Sequence, residues 1–141
     1  MSAQVLRPLY FENGIGCIWE VPEGYLRLEY QPGPLEDVQF RALLWHTAHA
    51  LSQWQWSKVL VDQRAMDCFN PTEQAWMSTE WLPQAVSESG YCFGAVRVAQ
   101  NGFARLTITQ LVMATRKLPH SYRTFETDET AVAWLLEPDR Y

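Results

Sequence analysis

Apolar and polar positions alternate along the first third of the chain and then recur at helical spacing. "VLRPLYFEN" (5–13) reads as a strand. Pro8 within it points to a sheet edge, because proline has no N–H for the ladder. Asn13-Gly14 is a hairpin signal. "IGCIWEVP" (15–22) reads as a second strand, closed by a Pro22-Glu23-Gly24 turn. In "YLRLEYQ" (25–31), Tyr25, Arg27 and Glu29 alternate against Leu26, Leu28 and Tyr30, which predicts a third strand. The three form an antiparallel meander.

After Pro32-Gly33-Pro34 the period changes. "LEDVQFRALLWHTAHALSQWQ" (35–55) places Phe40, Leu44, Thr47, Ala48, Leu51 and Trp54 on one helical face, the expected core face. Val38, Ala42 and Trp45 form a second apolar patch nearly opposite, beside His46 and His49. A helix apolar on two sides is often buried twice, by a second layer or by another subunit. "KVLVD" (58–62) is a short continuous apolar run, the pattern of a central parallel strand. A helix is expected to start at Asn70, with asparagine as N-cap, Pro71 in the first turn and Glu73 placed as in a capping box. Ala75, Leu82, Ala85 and Val86 share its inner face. Pro83 crowds the carbonyl of Thr79 and predicts a kink or break near Trp81. Ser89-Gly90 ends the helix.

"YCFGAVRVA" (91–99) predicts another strand, and Asn101-Gly102 a turn. "FARLTITQLVMATRK" (103–117) has Ala104, Ile108, Leu111 and Val112 at helical spacing, but the β-branched run "LTITQLV" leaves a strand open. Pro119 ends that segment. "SYRTFET" (121–127) is the last strand, and "DETAVAWLLE" (128–137) a closing helix with acids in its first turn and Pro138 behind it. Strands alternating with helices imply parallel pairing through right-handed crossovers. The expected architecture is one α/β domain over 1–141. Its mixed sheet joins an antiparallel N-terminal meander to mostly parallel C-terminal strands, with helices packed on it.

Composition narrows the function classes. The chain has 141 residues, 48% hydrophobic and 19% charged, with a net charge of −5, a globular profile. Its basic residues, Arg97, Arg105, Arg116, Lys117 and Arg123 among them, are scattered, which argues against nucleic acid as a partner. Cys17, Cys68 and Cys92 form no C-x-x-C pair, so neither a disulfide framework nor a zinc knuckle is expected. No apolar run approaches the roughly 20 residues of a membrane span, and the N-terminus has no signal-peptide pattern. A soluble, cytoplasmic protein is the expectation. Seven tryptophans, at 19, 45, 54, 56, 76, 81 and 134, are many for this length. They suggest a surface that does more than face water.

The candidate chemistry gathers after "KVLVD". Ligands of open α/β sheets bind beyond the carboxyl ends of the strands. Asp62, Arg64 and Asp67 lie there, followed by Cys68, Asn70 and Thr72. Free amides after Asn70 suit an anion, although Asn70 as N-cap fills that position itself. Cys68 precedes a helix start, which favours a thiolate, but Asp67 opposes it and no histidine is near in sequence. A half-buried loop cysteine is the simpler reading. His46 and His49, three apart and without a third ligand, make no metal site. His120 sits in a loop without a motif. No G-x-S-x-G, P-loop, G-x-G-x-x-G or H-E-x-x-H occurs.

The meander, the long helix, "KVLVD", a helix carrying "WLPQA" and the closing "YRTFETDETAVAWL" resemble the STAS (SpoIIAA-like) family across residues 24–137. That family groups the anti-sigma-factor antagonist domain with lipid-cradle-like relatives. The resemblance implies an α/β fold and a regulatory or binding role. In the antagonist branch a serine beyond the equivalent of "VLVD" is phosphorylated to switch partner binding. Asp62 matches an aspartate at that strand's end, but "QRAMDCFNPTE" contains no serine. Thr72 is the nearest hydroxyl and falls inside the first helical turn, so the switch does not carry over.

Three readings follow. The first is a non-enzymatic regulatory or protein-interaction module, homodimeric through Val38, Ala42, Trp45 and His49. The second is a binder of a small apolar or lipid-like ligand near the outward tryptophans 45, 76 and 81. The third, an enzyme using Cys68 or Asp62, has the least behind it. No cofactor is expected.

Overall fold

Consecutive strands of this chain lie side by side in order, and that ordering decides where every helix goes. The computed structural model describes residues 8–66, 71–98, 102–114 and 117–137. Its strands are β1 (Leu9–Asn13), β2 (Gly16–Val21), β3 (Tyr25–Tyr30), β4 (Lys58–Asp62), β5 (Phe93–Arg97) and β6 (Ser121–Phe125). They form one six-stranded sheet in the order β1-β2-β3-β4-β5-β6. β1–β2–β3 is the antiparallel meander, while β4, β5 and β6 each join the preceding strand in parallel. The expected α/β mixed sheet is therefore present.

Each parallel crossover steps in the same direction, so right-handed connections lay their helices on one face. These are α1 (Asp37–Trp54), the pair α2 (Pro71–Trp76) and α3 (Leu82–Ser89), and α4 (Gly102–Ala114). Under them Leu26, Leu28, Val59, Val61 and Val96 meet Phe40, Leu43, Leu51, Leu82 and Leu111. α5 (Asp128–Leu135) follows the last strand and covers the other face. There Ala131, Trp134 and Leu135 pack on Leu60, Phe93 and Ala95. The period of two along each strand sorts Val59 and Val61 to one core and Leu60 to the other.

Local signals hold with instructive shifts. The Asn13-Gly14 hairpin forms, but its two loop residues are Gly14 and Ile15, since Asn13 pairs with Gly16. The Asn13 carboxamide accepts from Ile15 N–H at 3.0 Å and donates to the Gln39 carbonyl at 2.9 Å, seating the turn on α1. On α1, Phe40, Leu44, Thr47, Ala48 and Leu51 are buried as expected, whereas Trp54 is 46% exposed. Its indole N–H donates to Glu20 at 2.6 Å and its ring stacks on Trp56. A tryptophan has a polar edge, so periodicity alone overstates its need for the core.

Pro83 is accommodated by a π-helical turn, Met77–Trp81, between α2 and α3. The N–H of Leu82 donates to the carbonyl of Met77, one residue further back than in an α-helix. The extra residue re-phases the inner face. Ala75, expected inside, is exposed, and Met77 and Trp81 turn inward. Trp81, expected on an outer face, is 2% exposed and donates to the Leu44 carbonyl at 2.8 Å. The alternatives for 103–117 resolve to helix over Gly102–Ala114. Among the described residues no helix is long and apolar enough to cross a membrane.

Candidate functional site

Sheet register builds a row of charge at the carboxyl ends of the parallel strands. Glu29 pairs across with Asp62, and Asp62 with Arg97, so all three project from the face that carries α5. Arg27, two residues before Glu29, shares that face. Thr127 caps α5 by accepting from Thr130 N–H, which brings Asp128 to the row in the first helical turn.

The contacts close the row on itself. Arg27 donates to Glu29 at 2.5 Å and to Asp62 at 2.8 Å, and lies 3.5 Å from Asp128. Arg97 pairs with the other oxygen of Asp128. Arg64 donates to Asp62 through its side chain at 2.7 and 3.0 Å and through its main-chain N–H at 3.1 Å. Three carboxylates thus face three guanidiniums. Burial works against ionising Asp62, but the hydrogen bonds from Arg64 and the charges of Arg27 and Arg64 outweigh it and hold its pKa below the usual carboxylate range. At neutral pH Asp62 is a fully engaged carboxylate, poorly suited to be a base or nucleophile. Cys17, beside Glu29, is no better a nucleophile: burial, then the Glu29 charge, push its thiol up to about 11. The row fastens β3, β4, β5 and α5 together at one end of the sheet.

Of the loop residues named from sequence, Asp62 and Arg64 come together. Asp67, Cys68 and Asn70 lie outside the described residues. Thr72 is exposed in the first turn of α2. Arg27, Glu29, Arg97 and Asp128 were not in the sequence-derived set. Their signals were the polar alternation of Arg27 and Glu29 opposite Leu26 and Leu28 and the acidic helix start at Asp128.

On α1 the second stripe is half occupied from within. Trp45, 39% exposed, meets Trp76 edge-on at 5.8 Å. Arg41 lies over the Trp76 ring at 4.7 Å and forks onto the buried Glu73 at 2.7 and 3.1 Å. Val38 is 72% exposed, Ala42 half-buried and His49 exposed. His46 stacks on Phe11 of β1 at 3.8 Å. Among the described residues no group of three histidine, cysteine or acidic side chains is placed to hold a metal ion.

A second polar cluster lies in the core beneath the helices. Tyr91 meets Trp81, His120 and Tyr122, and His120 sits edge-on to Tyr91 and Tyr122 at 4.2 and 4.4 Å. Burial pushes the His120 imidazole down to about 4, from an ordinary 6.5. The unfolded chain therefore binds a proton that the folded chain refuses between these values. Stability is full above pH 6.5 and falls as pH drops toward 4, by about 3 kcal/mol in total. Urea titrations across pH 4–7 should show this loss, and His120→Phe should flatten it. An unchanged slope in the variant would assign the loss to other groups.

Comparison of the chain with protein-family models, with curated proteins and with solved structures finds no match. What is defined is the class: an α/β domain on a six-stranded mixed sheet, with a closed ionic row at one end and an aromatic ledge on its first helix.

Proposed function

We propose that this chain is a non-enzymatic interaction module of STAS-like type that works as a homodimer through the ledge of α1 and α2. The observation carrying the reading is the exposed set Val38 and Trp45, braced from behind by Trp76 and the Arg41–Glu73 fork. Aromatic anchors held rigid before association lose little entropy on binding, which is what interface centres use. The mixed sheet with packed helices fits the STAS-like resemblance, and the engaged state of Asp62 speaks against a catalytic role. A lipid-like ligand fits less well. The space within the core is about 20 Å³, far below the roughly 150 Å³ that admits a benzene-sized molecule.

Sedimentation velocity at micromolar concentration tests the reading. The native chain should sediment as a dimer and Trp45→Glu as a monomer, with unchanged circular dichroism. A native monomer, or a dimer indifferent to Trp45→Glu, would overturn it.

A further inference from the structure

The core under the helices contains a small chamber where four neighbouring strands contribute polar groups. Tyr30 closes β3, Gln63 follows β4, Tyr91 precedes β5, and Tyr122 belongs to β6; all four line the space. Leu44, Ile108 and Leu111 of α1 and α4 supply apolar wall. Gln63 is 2% exposed, and its side-chain oxygen has no hydrogen-bond partner among the described residues. Two neighbouring donors are committed elsewhere. Thr47 donates to the Leu43 carbonyl at 2.8 Å and Trp81 to that of Leu44 at 2.8 Å. The Tyr91 and Tyr122 rings meet edge-on at 6.2 Å.

We infer that this chamber is a binding site for one ordered water, held by the Gln63 carbonyl oxygen and the tyrosine hydroxyls. Size selects the ligand. The space of about 20 Å³ exceeds the roughly 10–15 Å³ that one water requires and admits nothing much larger. Charge selects it too: among the described lining residues none is ionic, and burial raises the pKa of all three phenols, so they remain neutral. An ion would find no counter-charge there. Water donates to the Gln63 oxygen and can accept from a phenol in the same position, which an apolar gas cannot do. A buried carbonyl left without a donor costs about 1–3 kcal/mol, so a water that supplies one is retained.

The site reaches the surface through the backbone of Gln63. Its N–H donates to the Arg97 carbonyl at 3.0 Å, and its carbonyl accepts from Met66 N–H at 3.0 Å. The bound water therefore anchors the turn that presents Arg64, while the ionic row holds the same turn from the opposite face of the sheet.

Water-to-protein Overhauser spectroscopy on the labelled native chain tests this. Cross-peaks from a long-lived water to the Gln63 carboxamide and to the Ile108 and Leu111 methyls are expected. They should vanish in Gln63→Leu, whose side chain fills the space with carbon. Absence of these peaks in the native chain, or their persistence in Gln63→Leu, would overturn the site. If Gln63→Leu does not fold, crystallographic density of the native chain decides. A peak within hydrogen-bond distance of the Gln63 oxygen supports the site, and an empty chamber overturns it.

Discussion

Gly94→Ala should lower the stability of this domain by about 3 kcal/mol and its midpoint of thermal unfolding by about 10 °C, because one methyl group meets two tyrosines packed in the same aromatic cluster. In β5, Gly94 pairs with Tyr122 of β6, whose ring lies flat across the glycine. A Cβ there would come within 2.5 Å of Tyr122 Cδ1 and of the Tyr91 hydroxyl. Both rings belong to one aromatic cluster. His120 wedges against both, and Trp81 closes on Tyr91. Differential scanning calorimetry of the variant checks the size. A loss below 1 kcal/mol would mean that the cluster yields more readily than interior packing density allows.

The same glycine shows where sequence reading stops. "YCFGAVRVA" identifies a buried strand, and Gly94 reads only as a weak point in it. That the glycine is the floor for a ring 28 positions later depends on the Gly94–Tyr122 register. Register is a property of two strands and appears in neither alone. Elements set by local chemistry were legible: the meander, "KVLVD" as an interior strand, the proline-induced irregularity near Trp81, and an acidic helix start after "FET". The alternation of strands and helices was enough to give parallel pairing. The local rules failed where a tertiary contact outvoted them. The hairpin after Asn13 shifted by one residue because its carboxamide found Gln39. Trp54 stayed outside because its N–H found Glu20.

The candidate site divides along the same line. Asp62 and Arg64 stand two apart, and an apolar strand ending in a charged turn marked them from sequence. Their partners come from afar: Arg27 precedes Asp62 by 35 positions, and Arg97 precedes Asp128 by 31. The two-sided apolar pattern of α1 pointed to two contacts, the core and a second layer or another subunit. Part of the second face is met within the chain, where Trp76, just before the π-helical turn, lies against Trp45.

Arg27→Met should cost about 3 kcal/mol, measured by chemical denaturation at pH 7, although methionine suits a buried site and the lost contacts are few. The cost comes from what stays behind. The Arg27 side chain is 7% exposed and that of Asp62 9%, so the deletion strands a buried carboxylate with Arg64 alone. Glu29 and Asp128, at 33% and 46%, are wet enough to bear the loss. Removing the stranded charge as well should therefore recover stability: Arg27→Met/Asp62→Asn is expected to be less damaged than the sum of its single variants. The acid limb separates this row from His120. Asp62 has a lowered folded pKa, so its contribution is present above its ordinary value of 3.8 and is lost as pH falls through the folded value. Arg27→Met should make that lowest limb shallower, with Arg64 still holding the carboxylate, and leave the pH 4–6.5 slope of His120 intact. Strict additivity in the cycle, or a cost below 1 kcal/mol for Arg27→Met, would show that the row is a solvated surface network. It would then not be the fastening that holds α5 and the turn after β4 to the sheet.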